Sequence, residues 1–277
     1  AGYSSNPLED DSLSNYKLIK APITSFTIEA VKEIFTDRKA ALKCRNMFAL
    51  GMIFFIFGKE LDHTDAYLEK KFAKKPEVVQ ANKSVIRAGY NFCENTDVME
   101  YQMQVETATM PAGKYRNITG NIATAWGLLA AAEKAGLKLY LGSYPITPAT
   151  DVLHELSKHK SLGVTTVQCE DEIAGCASAV GASYAGALAV TSTSGPGICL
   201  KSEAMNLAVI MELPLVVLDV QRGGPATGLP TKSEQTDLLQ VLFGRNGESP
   251  MPVLAATSPT DCFDAAYEAS KMALEHM

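Results

Sequence analysis

Four short stretches in the second half of the chain hold residue types that can do chemistry. Residues 142–148 (Gly-Ser-Tyr-Pro-Ile-Thr-Pro) include Tyr144, Pro145, Ile146 and Thr147, with two hydroxyls among them. Glu170, Asp171 and Glu172 stand together after Cys169. A carboxyl there can share a proton with a ligand, best where little water reaches it and its pKa rises. Ser194, Gly195, Pro196 and Gly197 make a tight turn or an anion site at a helix start. Arg222 opens a loop that runs Gln221-Arg222-Gly223-Gly224-Pro225-Ala226-Thr227-Gly228. Its planar guanidinium can hold a carboxylate through two parallel hydrogen bonds.

Each stretch also has a plainer use. Thr147-Pro148 can be an N-cap and first helical residue. The three acids can complement a helix dipole, worth roughly 0.3–1 kcal/mol each. Ser-Gly-Pro-Gly can be only a turn, and Arg222 a solvated loop charge. The elements around them argue for more. From residue 117 on, helix and strand patterns alternate. Helices are predicted at 122–134, 149–157, 171–185, 201–211, 233–242 and 260–274, the last with Ser258 as N-cap and Pro259 next. Strands are predicted at 137–141, 164–168, 188–191, 215–220 and 252–255. That alternation implies a parallel sheet covered on both faces. All four stretches then follow strands, so they meet at the carboxyl edge, where open parallel sheets bind ligands.

The spacing between two of them is informative. Glu170 precedes Ser194 by 24 residues. This resembles the pyrimidine-binding domains of thiamine-diphosphate enzymes such as acetohydroxyacid synthase, with a glutamate before a helix, a strand, then Ser-Gly-Pro-Gly. Tyr144-Pro145-Ile146-Thr147-Pro148 and the run Gln221 to Thr231 resemble the alpha subunit of 2-oxoacid:ferredoxin oxidoreductases. Ala226 stands where many relatives have Ser. Lys43 to Gly51 and Lys74 to Val78 resemble the end of the gamma domain that many members fuse ahead of alpha. The chain is thus expected to be an internal piece of a longer subunit, an α/β protein in three parts. Residues 1–93 would be the mostly helical, partial gamma domain. Residues 94–116 would be a linker, and 117–277 the parallel-sheet, thiamine-diphosphate pyrimidine-binding domain.

The resemblance implies roles. Glu170, or Glu172 as the alternative, would bond N1′ of the cofactor's aminopyrimidine and so promote loss of the thiazolium C2 proton. Ser194, Gly195, Pro196 and Gly197 would lie against the cofactor. Arg222 and Thr147, with Tyr144, Pro145 and Ile146, would hold the carboxylate end of the substrate. The activity would be oxidative decarboxylation of a 2-oxoacid with coenzyme A, giving electrons to ferredoxin. Gly228 to Lys232 leans towards 2-oxoglutarate, with pyruvate or a branched 2-oxoacid as alternatives. A module that only docks partners is the reading from another class. No run of the sequence resembles the acidic loop that holds magnesium and the diphosphate. Magnesium and a [4Fe-4S] cluster would therefore sit on a beta subunit, through which ferredoxin is served, in a dimer of alpha–beta pairs.

Bulk properties fit a cytoplasmic protein. Hydrophobic residues make up 47% of the 277, and the net charge of −6 gives no basic footprint for nucleic acid. Six scattered cysteines form no CxxC pair, so this chain is expected to bind no metal or cluster. Met47 to Phe57 is the most apolar run, too short to cross a membrane, and reads as a buried helix. Further helices are predicted at 39–57, 64–72 and 77–92, with Pro76 opening the last. Lys17 to Ile23 reads as a strand, and Thr27 as the cap of a helix carrying Glu29.

Overall fold

The alternating pattern of the second half becomes a four-stranded, all-parallel sheet. The computed structural model describes residues 4–96, 102–229 and 231–277. Contacts divide the chain into two units, Ala1–Ala112 and Gly113–Met277.

In the second unit the order is α6 (Gly120–Ala135), β1 (Leu139–Ser143), α7 (Thr150–Leu156), β2 (Val164–Gln168) and α8 (Glu172–Tyr184). Then come β3 (Leu188–Thr193), α9 (Gly195–Ile210), β4 (Leu215–Asp219), α10 (Leu238–Phe243) and α11 (Pro259–His276). The strands lie in the order β2-β1-β3-β4. Strand alternation sorts side chains to the two faces. Leu139, Leu141, Leu188, Val190 and Val216 pack with Leu128 of α6, Val152 and Leu156 of α7 and Ala266 of α11. On the other face Leu215 and Val217 meet Cys176 of α8 and Ala204 and Met205 of α9. The sheet is thus covered on both sides, as its apolar strands require.

This order has a consequence for binding. The chain leaves β1 towards β2 and returns to place β3 on the other side of β1. The crevice at the carboxyl ends of β1 and β3 is therefore the topological switch point. There the strand ends turn polar. Ser143, Ser192, Thr193 and Ser194 are all buried, and the hydroxyls of Ser143 and Ser192 are 2.8 Å apart.

The first unit is helical: α1 (Ile23–Val31), α2 (Arg38–Leu42), α3 (Arg45–Ile56), α4 (Asp62–Lys71) and α5 (Pro76–Asn95). Helices α3 and α5 cross at two glycines. A Cβ on Gly51 would fall 2.0 Å from the Ile86 carbonyl oxygen, and one on Gly89 2.0 Å from that of Phe48. Phe48 is fully buried beside Val85, and its ring lies 5.8 Å from those of Phe26 and Phe92.

Several expected elements differ. Residues 17–22 are coil leading into α1, and no described residue of the first unit is in a strand that could pair with them. Thr27 lies inside α1, buried, and Pro22 holds the N-cap position. The helix expected over 39–57 is two, broken near Cys44, because Asp37 caps a short first piece by accepting from the Lys39 and Ala40 amides. The apolar helix α3 buries Phe48 and Gly51 but leaves Ile53 49% exposed. Helix α9 begins at Gly195, six residues ahead of the prediction, since Pro196 suits a first turn. Helix α10 starts only at Leu238, five residues late, and Gly223 N–H instead bonds the Lys232 carbonyl at 2.7 Å. Residues 252–255 are not a strand. The described sheet ends at β4, and Pro252 has no N–H to give a ladder. Part of the expected linker falls on 97–101, outside the described residues, and α5 extends to Asn95. Among the described residues no helix is long and apolar enough to cross a membrane.

Candidate active site

Hydrogen bonds tie three of the four stretches to a single acceptor, the carbonyl oxygen of Thr147. Arg222 donates to it through Nη1 at 2.8 Å, and Ser194 through Oγ at 3.4 Å. The loop after β1, the turn after β3 and the loop after β4 thus converge across the switch point. The fourth stretch, after β2, is held by the Cys169 N–H, which bonds the Ser143 carbonyl at 2.8 Å.

Local chemistry shapes each part. In the loop after β1 the Thr150 hydroxyl accepts from the Ile146 N–H at 2.8 Å and donates to the Ile146 carbonyl at 3.0 Å. Asn121 of α6 donates to the Pro148 carbonyl at 3.0 Å. Helix α7 begins at Thr150 with Ala149 in the N-cap position, so Thr147 is not a cap and Pro148 not a first helical residue. Tyr144 is 37% exposed. Thr147 is also exposed, while Pro145 and Ile146 are half-buried.

Arg222 is not a solvated loop charge. It is 7% exposed, and its Nε is buried with no partner among the described residues. A buried guanidinium with an unused donor is costly unless a ligand accepts from it. A carboxylate suits that donor best.

The two glutamates differ. Glu170 is exposed, and Glu172 is half-buried at the start of α8. Asp171 is the N-cap of α8, accepting from the Ala174 N–H at 2.7 Å. A Cβ placed on Gly197 would come within 3.0 Å of Glu172 Cγ and 2.0 Å of Thr193 Oγ1. Glu172 therefore lies against the Ser-Gly-Pro-Gly turn, whose bare glycine leaves room for that contact. The start of α8 thus turns Glu172 inward and leaves Glu170 exposed before the cap.

Three ionisable residues, two buried and one half-buried, have no counterpart in the sequence reading. Lys201 of α9 is fully buried and donates to Thr191 Oγ1 at 2.6 Å. Burial lowers its pKa, and burial pushes the neighbouring Cys176 thiol up to about 11. Asp219 ends β4, and Asp237 fills the N-cap position of α10. A lysine inside an apolar helix pattern and an aspartate ending an apolar strand were the available signals. Among the described residues no group of three or more His, Cys, Asp or Glu could hold a metal.

Residues 130–277 match the family described as pyruvate flavodoxin/ferredoxin oxidoreductase, thiamine diphosphate-binding. The chain belongs to that family. Among relatives of this oxidoreductase family, it is 54% identical over 275 residues to the 2-oxoglutarate oxidoreductase subunit KorA of Mycobacterium tuberculosis, covering 99% of this chain and 42% of that one. It is 34% identical over 267 residues to subunit alpha of 2-oxoacid:ferredoxin oxidoreductase 1 from Aeropyrum pernix, covering 93% and 40%. In structure it resembles the 2-oxoglutarate:ferredoxin oxidoreductase of Magnetococcus marinus, solved with 2-oxoglutarate, coenzyme A and succinyl-CoA bound. That match has a TM-score of 0.70 at 35% identity and covers 89% of this chain and 41% of that one. The chain spans about two fifths of the length of these relatives.

Proposed function

We propose that this chain supplies the alpha side of the active site in a thiamine-diphosphate-dependent 2-oxoglutarate:ferredoxin oxidoreductase. The overall reaction takes 2-oxoglutarate and coenzyme A to succinyl-CoA, carbon dioxide, one proton and two electrons. The observation that carries the reading is the buried Arg222, tied to Thr147 across the switch point with one donor unused. The names of the Mycobacterium relative and of the Magnetococcus structure support 2-oxoglutarate as the substrate.

The residues present fit the cofactor's pyrimidine end. Gly197 leaves room for Thr193 Oγ1 and Glu172 Cγ, so a carboxylate stands beside the Ser-Gly-Pro-Gly turn. Thiamine diphosphate, when bound, supplies the nucleophilic carbon and the electron sink for decarboxylation. Glu172, in preference to Glu170, holds the proton at the pyrimidine N1′. Ser194, Gly195, Pro196 and Gly197 form the backbone surface on which that ring lies. Arg222 binds and orients the substrate carboxylate, and the Thr147 hydroxyl, with Tyr144, Pro145 and Ile146 around it, completes that end of the site.

The same reading extends to the rest of the enzyme. The first unit is the end of a gamma domain, with a joint over 94–116. A beta subunit brings magnesium, the diphosphate loop and a [4Fe-4S] cluster that passes electrons to ferredoxin, in a dimer of alpha–beta pairs. The compartment is the cytoplasm, which fits the six unpaired cysteines.

The test is coenzyme-A-dependent viologen reduction by the complete alpha–beta complex, with 2-oxoglutarate, pyruvate and a branched 2-oxoacid compared. The highest kcat/KM belongs to 2-oxoglutarate. Preference for another acid moves the substrate assignment. No turnover with any of them overturns the reading in favour of a docking module.

A further inference from the structure

Behind the Arg222 loop lies a pair of acids that the proposed chemistry does not use. Asp237 is only 4% exposed. Its Oδ1 accepts from Gln221 Nε2 at 2.6 Å, and its Oδ2 is buried without a donor among the described residues. Asp219 Oδ1 is buried and lacks a donor in the same way. Asp219 as a whole is half-buried and stands within hydrogen-bonding reach of Asp237. Two such carboxylates, each with an orphaned buried oxygen, would repel and leave two acceptors unsatisfied. One proton held between them removes one charge and gives both oxygens a partner. Aspartic-protease dyads solve the same problem in this way.

The pair sits at a junction. Asp219 ends β4, pairs in register with Thr193 of β3, and is followed after one residue by Gln221 and Arg222. Asp237 fills the N-cap position of α10. A Cβ on Gly195 would come within 2.4 Å of Asp237 Oδ2 and 3.3 Å of the Arg222 carbonyl oxygen. Asp237 therefore lies against the turn proposed for the cofactor and holds Gln221, the residue before the proposed substrate arginine.

We propose that Asp219 and Asp237 share one proton and act as a clasp, two positioning residues that hold the Arg222 loop against the Ser194-Gly195 turn. This rests on the reading of Arg222 as the residue that binds the 2-oxoacid. With the proton in place the loop is closed and Arg222 is aimed. When the proton leaves, the two carboxylates repel and the loop is released. Burial first, then the hydrogen bond and charge of Asp237, push the Asp219 carboxyl up to about 8, so the clasp opens above neutral pH. Other charged groups lie near this face. Lys201 on α9 bonds Thr191, Glu234 faces Gly223, and Arg222 bonds Thr147. Among the described residues the charge that acts on Asp219 is that of Asp237.

The experiment uses the complete alpha–beta enzyme. Infrared difference spectra of wild type minus Asp219→Asn show a carboxylic-acid C=O band at neutral pH that vanishes through about pH 8. Asp237→Asn removes the same band. In steady-state kinetics the wild-type KM for 2-oxoglutarate rises about tenfold across that pH range, the scale of one charged hydrogen bond. Asp219→Asn, whose amide donates permanently to Asp237, keeps a flat KM there, and KM for coenzyme A is unmoved in both. Absence of the band overturns the shared proton. Manganese that raises the melting temperature of wild type but not of Asp219→Asn, with no band, overturns it in favour of a cation site. A band together with the wild-type alkaline rise in Asp219→Asn overturns the positioning role. If Arg222→Lys handles the 2-oxoacid normally, the substrate-site reading falls and the kinetic half of the proposal falls with it. The band alone then decides the shared proton.

Discussion

At the scale of single residues, the site depends on which side chains face inward. Glu170 and Glu172 are two positions apart in sequence, yet α8 begins between them and gives them different surroundings. Glu172→Gln keeps the shape and cannot share a proton at N1′. In the complete enzyme it should slow hydrogen–deuterium exchange at C2 of bound thiamine diphosphate by about 100-fold, the scale of a general acid–base contribution. Glu170→Gln, exposed before the cap, should change the rate little. Proton NMR after acid quench reads the exchange, and a large fall with Glu170→Gln instead returns the role to that residue. Arg222→Lys keeps the charge and loses the planar fork. It should lower kcat/KM for the 2-oxoacid by the equivalent of about 1.5–3 kcal/mol. KM for coenzyme A should stay nearly constant, and equal damage to both substrates would count against a carboxylate-binding arginine.

At the scale of elements, contacts that a side chain would block set the geometry. Gly197→Ala places a methyl group where Thr193 Oγ1 and Glu172 Cγ already lie. Strand β3 and helices α8 and α9 must then separate, at a cost of about 1–3 kcal/mol. A lower thermal midpoint of the complex, with weakened thiamine diphosphate binding, is the expected result; an unchanged midpoint would mean the turn yields freely. Helices α6 and α7 are joined differently. Trp126 Nε1 donates to Glu155 Oε1 at 3.0 Å, and Lys158 Nζ lies 2.6 Å from Oε2. Lys158, then Trp126 and His159, bring the Glu155 carboxyl down from 4.5 to about 2. A lowered pKa contributes stability above the unfolded value that is lost as pH falls from about 4.5 to about 2. Glu155→Gln should flatten the melting temperature of the complex across that acid window, and an unchanged slope would show that Glu155 does not couple the helices.

At the scale of the whole molecule, the carboxyl edge of β1, β3 and β4 brings Thr147, Ser194 and Arg222 together. No sequence run resembles a loop for magnesium and a diphosphate. The isolated chain should therefore bind thiamine diphosphate and magnesium weakly, and calorimetric titration of the chain alone is the measurement. A micromolar, magnesium-dependent affinity would mean that this chain holds the whole cofactor. Affinity should appear when the beta subunit is added, because the two halves then act on one ligand.

Much of the second unit was legible in sequence because its period is local. Strand β2 matches its predicted range, and α11 opens at Pro259 behind the Ser258 cap. Apolar alternation and capping residues act over a few neighbours, so one sequence carries them. The motifs after each strand likewise announced a shared edge, since parallel strands must all end on one side. Tertiary structure decided what depends on distant partners. The segment 252–255 has strand-like residues, but no neighbouring strand takes up its backbone groups. Spacing alone pointed to Glu170, whereas in the fold it is Glu172 that packs against Gly197. Asp219 and Asp237 lie 18 positions apart, and only the fold brings one carboxyl within reach of the other. Burial shifts what an acid or a lysine can do, and burial is a property of the folded chain rather than of any stretch of its sequence.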